Sequence, residues 1–236
     1  MKNHCSLLVI AITVCLFGAA RPAKAQLLTN GSFEANASTI GSGKVANGFG
    51  TITGWQNVGT TASNSGVQYG SVGTGLNNSE SGNYFAFQDS DDGSGANGGA
   101  FQLTNTVLEA GDQITLTWYA VNTYNAPIQN VDLLEGSSPS ASFASVSVLT
   151  PINNPNLTLS GTYTEYTLEY TATAADDGKY LGVSFTTTGA ENSFAQYDNF
   201  VLTDVSAAVP EPSTCALLGA GLGCLIFIVR TRRSRA

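Results

Sequence analysis

The stretch DQITLTWYAV, residues 112–121, alternates apolar and polar side chains along almost its whole length. The apolar positions are Ile114, Leu116, Trp118 and Ala120. A period of two residues is the pattern of a β-strand that buries one face. The stretch therefore predicts a strand that places Trp118 in a core and turns Tyr119 to the opposite face.

Short runs of the same kind occur on both sides of this stretch, separated by clusters of Gly, Asn, Ser and Asp. The predicted strands are residues 83–88, 99–107, 163–173, 180–188 and 195–204, with shorter candidates at 50–56 and 67–72. Residues 35–50 and 57–66 are small and polar, which indicates long loops. Since no segment between 26 and 209 has a 3.6-residue apolar period, the pattern predicts an all-β sandwich of two sheets.

Residues 26–209 carry a strong negative charge. They contain 16 Asp and Glu residues but only two basic residues, Lys44 and Lys179, which gives a formal net charge of −14. Such a surface repels nucleic acid and anionic lipid headgroups. The charge therefore favours divalent cations or neutral partners such as sugars, and it excludes a nucleic-acid-binding role.

Chemistry that needs histidine or cysteine is excluded from the same segment. The single histidine, His4, and all four cysteines lie outside it. This rules out Ser-His-Asp and Cys-His catalysis, histidine-ligated zinc and disulfides within residues 26–209. Two of the 16 acids could form a glycosidase pair, but spacing alone pairs none of them. We expect a domain that is not an enzyme, with a small glycan-active enzyme as the weaker alternative.

Residues 1–25 have the pattern of a secretory signal peptide. A short positive start precedes an apolar stretch over residues 7–20, and Ala23 and Ala25 form an A-x-A cleavage pattern. The mature chain is therefore expected to begin at Gln26.

The C-terminal end contains three consecutive segments. Residues 206–213 form a linker with a Pro-Glu-Pro motif, residues 214–229 are uncharged and predict a transmembrane helix, and residues 230–236 form a basic tail. The motif residues are Val209, Pro210, Glu211 and Pro212, and the arginines next to the span are Arg230, Arg232 and Arg233. Arginine beside a span stays on the cytoplasmic side, so the acidic domain is expected to face outward.

The order of signal peptide, polar domain, Pro-Glu-Pro, apolar helix and arginine cluster resembles the PEP-CTERM sorting signal of bacterial exported proteins. The resemblance implies that an exosortase, a membrane protease-transpeptidase, recognises the tail and removes it near the Pro-Glu-Pro motif. The protein would then be anchored transiently in the membrane before it reaches the cell surface or the extracellular matrix. A permanent C-terminal anchor is the alternative.

A second resemblance rests on three short motifs. The domain begins with LLTNGSFE, residues 27–34, carries TGW at 53–55, and ends with QYDNFVL, residues 196–202. These motifs resemble those of the galactose-binding-like jelly rolls, which include several families of carbohydrate-binding modules. The resemblance implies a jelly-roll β-sandwich over residues 26–205.

The same resemblance implies a structural calcium ion near the two ends of the domain. The matching acids in this sequence are Glu34 and Asp198, and backbone carbonyls would complete a shell of hard oxygen ligands. A rival site is the acidic loop DSDDG, residues 89–93, which resembles the start of an EF-hand loop. Ala100 stands where the distal Glu of such a loop should be, which favours a solvated turn there.

Four aromatic residues are candidates for contact with a sugar, since aromatic rings stack on the C–H faces of pyranoses. They are Trp55, Tyr69, Tyr119 and Tyr124. Trp55 follows a turn glycine, so it could equally cap the sandwich. We expect an exported, non-catalytic sandwich that binds extracellular polysaccharide. The alternative is a structural or adhesive surface protein without a small ligand.

Overall fold

The computed structural model of the 236-residue chain describes residues 26–40, 45–47, 52–58, 65–73, 78–89, 99–124, 128–149, 159–188 and 194–206, together with Gly221. Ala23–Ser206 form one compact unit, and a second unit, Met1–Pro22 with Ala207–Ala236, lies outside the described residues except for Gly221. The predicted signal peptide, transmembrane helix and basic tail therefore fall outside the description. Within the described ranges, no helix has the length and apolar character needed to cross a bilayer.

The described part of the domain is built almost entirely of β-strands, as the alternation predicts. The strands are β1 (Val45–Asn47), β2 (Gln56–Asn57), β3 (Ser65–Tyr69), β4 (Ser71–Val72), β5 (Asn78–Ser79), β6 (Tyr84–Asp89), β7 (Gly99–Val107), β8 (Gln113–Tyr124), β9 (Ile128–Gly136), β10 (Ser147–Val148), β11 (Thr164–Thr171), β12 (Tyr180–Thr188) and β13 (Phe194–Val205). The helical elements are a 3-10 turn at Glu34–Asn36, a single α-turn at Ala37–Ile40 and a 3-10 turn at Phe143–Ser145.

Two antiparallel sheets face each other across one core. The six-stranded sheet has the order β1-β3-β6-β13-β8-β11, and the five-stranded sheet has the order β10-β9-β12-β7-β2. β4 and β5 form a separate parallel pair. The core contains side chains from both sheets, including Trp118 of β8 and Phe185 of β12. The prediction of an all-β protein with two packed sheets is confirmed.

The central strand β8 follows its predicted alternation. Trp118 is fully buried in the core, and Tyr119 lies on the outer face of the six-stranded sheet. The indole Nε1 of Trp118 donates a hydrogen bond of 3.1 Å to Oε1 of Gln129, which lies on β9 of the opposite sheet. This bond joins the two sheets through the core.

The predicted strand bounds are most accurate for β7 and β12 and wrong at residues 50–56. In that region Trp55 N donates to Ile52 O at 3.0 Å, and Gly54 has φ +87, so a turn precedes the two residues of β2.

β9 was not predicted, because Gln129 interrupts the apolar positions of its buried face. The oxygen of the buried Gln129 amide accepts the hydrogen bond from Trp118, which offsets part of the cost of burying this side chain.

The start of the domain is tied to its last strand. β13 pairs with β6 only as far as Tyr197, and a β-bulge follows. Beyond the bulge the N-terminal segment lies beside β13: Leu27 N donates to Leu202 O, and Phe200 N donates to Gly31 O, both at 2.9 Å. A Cβ at Gly31 would overlap Phe200 O, so this close approach requires glycine. The two ends of the domain thus hold each other in place.

The three short motifs noted in the sequence meet inside the core. The rings of Phe33, Trp55 and Phe200, one from each motif, lie with centroids 5.6 to 6.1 Å apart. The indole Nε1 of Trp55 also donates to Asn30 O at 3.2 Å. The three aromatic residues therefore specify the packing of the sandwich.

Asp204, near the end of β13, should make stability depend on pH. Burial, followed by the charges of Asp112 and Glu109, raises the pKa of Asp204 to about 6. The unfolded chain releases this proton near pH 3.9, so the folded state binds more protons between about pH 4 and pH 6. Stability contributed by Asp204 is therefore present at low pH and is lost as the pH rises through that window.

The variant Asp204→Asn should remove this dependence. The urea midpoint should fall less between about pH 4 and pH 7 in Asp204→Asn than in the wild-type protein. Asp177→Asn changes an exposed carboxyl and serves as the control that keeps the wild-type slope. Equal slopes in Asp204→Asn and the wild-type protein would contradict the assignment.

Candidate functional site

The predicted metal ligands Glu34 and Asp198 both bind the backbone of one turn, residues 80–84, which we call the clamped turn. Oδ2 of Asp198 accepts hydrogen bonds from Glu80 N at 3.0 Å and Ser81 N at 3.2 Å. Oε1 of Glu34 accepts from the last two amides of the turn, at 2.7 and 2.8 Å. The turn leads directly into β6, so the two carboxylates fix the entry of the chain into the six-stranded sheet.

The β-bulge of β13 explains how Asp198 reaches this position. Asn199 has a left-handed backbone with φ 50, and its N–H donates to Oδ1 of Asp198 at 2.7 Å. The side-chain Nδ2 of Asn199 donates to Oε2 of Glu80 at 2.5 Å and to Oγ of Ser81 at 2.6 Å. Asn is tolerated in this conformation better than most residues. The Asp-Asn pair therefore holds the turn by both backbone and side chain.

Asp198 is fully buried, and its surroundings change its acidity. Burial raises the pKa of Asp198 to about 7, the backbone N–H groups of Ser81, Asn199 and Glu80 oppose that rise, and the charge of Glu80 adds to it. The carboxyl group therefore releases its proton much nearer to neutral pH than an exposed aspartate does.

The calcium prediction can be compared with this geometry. Glu34 and Asp198 do converge on one segment, and both supply the oxygen ligands that Ca²⁺ prefers. However, both carboxylates already accept backbone hydrogen bonds. Within the described ranges, no group of three or more His, Cys, Asp or Glu side chains could hold a metal ion. The geometry accounts for both acids as backbone clamps, and the calcium ion stays a prediction.

A group of polar and aromatic side chains lies on the outer face of the six-stranded sheet, beside the clamped turn. Tyr119 of β8 stands opposite Asp198 of β13 on one side and opposite Glu165 of β11 on the other. Tyr163 precedes β11 by one residue and shares the face of Glu165, by the alternation along the strand. We call Tyr119, Tyr163, Glu165 and Glu80 the outer-face patch.

The carboxylates beside the two tyrosines act on the acidity of their hydroxyl groups. Burial raises the pKa of Tyr119, and the charges of Glu165 and Glu80 raise it further. Burial likewise raises the pKa of Tyr163, and the charges of Asp198 and Glu80 add to the rise. The hydroxyl of Tyr163 donates to the backbone carbonyl of the β5 residue Asn78 at 2.9 Å. Tyr119, Tyr163 and Glu165 keep some exposure to solvent, and Glu165 is the most exposed of the three.

The structure does not bring the four predicted sugar-binding aromatics together. Trp55 is only 4% exposed and packs in the core, so it has no free ring face for a sugar. The ring of Tyr69 is partly buried against Tyr84, with centroids 5.5 Å apart. Tyr124 is 56% exposed at the far end of β8, where a shift in register brings it opposite Phe194 of β13, five residues along the strand from Tyr119. Of the four, Tyr119 is the residue that lies beside the clamped turn.

The sequence alone does not single out Tyr163 and Glu165, because the alternation of the predicted strand 163–173 shows only which side chains share a face. Tyr163 and Glu165 are two residues apart and therefore lie on the same face. Their position next to Tyr119, however, depends on the pairing of β11 with β8. The rival acidic loop can be followed only at Asp89, which ends β6. Its other residues lie outside the described ranges.

Comparisons with known proteins support the sorting tail and the fold. The PEP-CTERM protein-sorting motif matches residues 208–233, so the chain carries this exported-protein motif. No curated protein matches the chain. The Stig cyclase Fisc of Fischerella sp. TAU has a similar structure, with a TM-score of 0.57 and 18% identity, covering 78% of this chain and 100% of the cyclase chain. That likeness shows the fold alone.

Two carbohydrate-binding structures are more distant. TmCBM61, solved with β-1,4-galactotriose, gives a TM-score of 0.46 at 12% identity and covers 75% of this chain and 97% of its own. The CBM22-1-GH10 modules of Clostridium thermocellum xylanase 10B give a TM-score of 0.43 at 14% identity, covering 69% of this chain and 28% of that one.

Proposed function

We propose that the protein is an exported surface or matrix protein whose sandwich, residues 26–205, binds extracellular polysaccharide through the outer-face patch and has no catalytic activity. The sorting motif at 208–233 supports export. The observation that carries the binding half is Tyr119, a partly exposed aromatic ring on a sheet face with carboxylate acceptors on its neighbours. We also propose that the sandwich is a galactose-binding-like jelly roll.

The chemistry of the patch suits a sugar better than an apolar ligand. A pyranose presents C–H groups on its faces, which stack on a tyrosine ring, and hydroxyl groups at its edges, which donate to carboxylates. Glu165 lies directly across from Tyr119 on the neighbouring strand, so both kinds of contact are available at one place. A strand face also suits an extended polymer that lies across several strands.

The absence of catalysis is part of the proposal, and the state of Asp198 supports it. This carboxyl has the pKa of a candidate proton donor, near 7. It is nevertheless fully buried beneath the clamped turn, where it accepts three backbone hydrogen bonds. A substrate on the surface could not contact it unless the turn opened.

Binding through the patch can be tested with one pair of variants. In a pull-down with the extracellular polysaccharide of the host, Tyr119→Ala should lose most of the bound protein. Tyr180→Ala removes an equally large, partly exposed aromatic side chain from β12 of the five-stranded sheet and should bind like the wild-type protein. Equal retention of wild-type protein and Tyr119→Ala would overturn binding through the patch. Concentration-dependent oligomers that ignore the polysaccharide would favour an adhesive role instead.

The processing of the two chain ends is a separate prediction. We expect cleavage after Ala25, so that the mature protein begins at Gln26, and removal of residues 214–236 by an exosortase-type protease. The intact mass of the extracellular protein measures both events. A mass that still includes residues 214–236 would indicate a permanent anchor. Replacing Arg230, Arg232 and Arg233 with neutral residues should reduce surface delivery, because the arginines orient the apolar segment.

A structural calcium ion at Glu34 and Asp198 remains part of the proposal. Calcium that binds only the folded protein would raise the melting temperature at millimolar concentration. Asp198→Ala should abolish that rise, and Asp91→Ala in the rival loop should preserve it. A melting temperature of the mature protein that does not change with chelator would rule out the ion.

A further inference from the structure

We infer that the outer-face patch selects polysaccharide that carries free, protonated amino groups over neutral or acidic polysaccharide. This inference rests on the proposed function, since it names the ligand class of the same site. It follows from the charge around Tyr119 and from the distribution of basic residues in the domain.

Within the part of the domain that the structure describes, no basic side chain offsets the negative charge of the patch. Glu165 and Glu80 both act on the hydroxyl of Tyr119, and Glu80 also acts on that of Tyr163. Among the described residues, the single basic side chain is Lys179. Lys179 directly precedes β12 of the five-stranded sheet. Burial raises the pKa of the neighbouring Glu135 on β9, and the charge of Lys179 opposes that rise. Two tyrosines are thus bordered by carboxylates that no described cation neutralises.

An aromatic ring bordered by carboxylates favours an ammonium group over other sugar substituents. The ammonium is attracted to the face of a tyrosine ring and forms charge-assisted hydrogen bonds with carboxylates. A hydroxyl or an acetamide gains the hydrogen bonds without the charge. A uronate or sulfate would be repelled by Glu165 and by the formal charge of −14 on residues 26–209.

The position of Glu165 makes the inference testable without disturbing the fold. Its side chain is exposed on the edge strand β11, opposite Tyr119, and it takes no part in the clamped turn. Glu169 is also exposed and lies four residues further along β11, about 13 Å away at the rise of a β-strand. Glu165→Gln and Glu169→Gln therefore remove the same charge from the same strand, one inside the patch and one outside it.

The test compares two oligosaccharides that differ only in acetylation: a glucosamine hexamer and its N-acetylated counterpart. Binding to the mature protein is measured by calorimetry in mildly acidic buffer, where the free amine is protonated. We expect the amine form to bind about tenfold more tightly than the acetylated form, and added salt to reduce this difference. Glu165→Gln should reduce the difference several-fold, and Glu169→Gln should leave it unchanged.

The results that overturn the inference can be told apart from failure of the proposed function. Equal or tighter binding of the acetylated oligomer, lost in Tyr119→Ala, would overturn the amine preference and leave polysaccharide binding intact. An equal effect of Glu165→Gln and Glu169→Gln would assign the preference to overall charge and overturn the role of the patch. Absence of binding to both oligomers and to the host polysaccharide would remove the proposed function together with the inference.

Discussion

Replacing Asp198 with alanine is expected to lower the free energy of unfolding by about 3–5 kcal/mol, because three backbone N–H groups lose their acceptor at once. Those groups belong to Glu80, Ser81 and Asn199, and the carboxyl that binds them is fully buried. A buried N–H without an acceptor costs about 1–3 kcal/mol, so the loss exceeds that of an ordinary surface hydrogen bond.

Urea denaturation measures this loss, and amide hydrogen exchange locates it. The amides of the clamped turn should exchange faster in Asp198→Ala than in the wild-type protein. Asp198→Asn keeps the shape and one acceptor oxygen, so it should lose less stability than Asp198→Ala. Asp177→Ala removes an exposed turn carboxyl and should change stability by less than about 1 kcal/mol. A similarly small loss in Asp198→Ala would contradict the clamp.

Glu34 provides an internal check, since it holds the other end of the same turn. Oε1 of Glu34 binds the amides of Asn83 and Tyr84, and Asp198 binds those of Glu80 and Ser81 in the same turn. Side chains that act on one segment do not contribute independently. The loss in the double variant Glu34→Ala/Asp198→Ala should therefore be smaller than the sum of the two single losses.

The second large effect is expected at Gly82, in the middle of the clamped turn. Gly82 has φ +62, and a Cβ at this position would overlap Oε1 of Glu34. Alanine would meet two penalties: the left-handed backbone costs about 1–2 kcal/mol, and the overlap displaces the carboxylate that binds the turn. We expect Gly82→Ala to lose about 2–4 kcal/mol in total, since the amides that Glu34 binds are exposed or only partly buried.

Gly178 is the matched control for this substitution. It has φ +79, and a Cβ there would have no atom within 4 Å. Gly178→Ala should therefore show only the backbone penalty of about 1–2 kcal/mol. The difference between the two variants measures the contact with Glu34. Equal losses in Gly82→Ala and Gly178→Ala would show that the overlap is relieved without disturbing the clamp.

Local sequence patterns predicted those properties that depend on neighbouring residues in the chain. The two-residue alternation of 112–121 identified β8 and the burial of Trp118, and β7 and β12 have the predicted bounds. The composition established the negative charge and excluded histidine and cysteine chemistry. The tail motif was recognisable because its elements follow one another within about thirty residues. Each of these signals is read along a single segment.

The tertiary structure alone decided which of these segments meet. Asp198 binds amides 118 and 117 residues earlier in the chain, and Glu34 binds amides 49 and 50 residues later. Alternation gives the face of a side chain but not the strand beside it. The sequence therefore could not place Tyr163 and Glu165 near Tyr119, nor exclude Trp55 from the surface. Strand order and register fix those positions, because burial of the whole core selects one pairing among many.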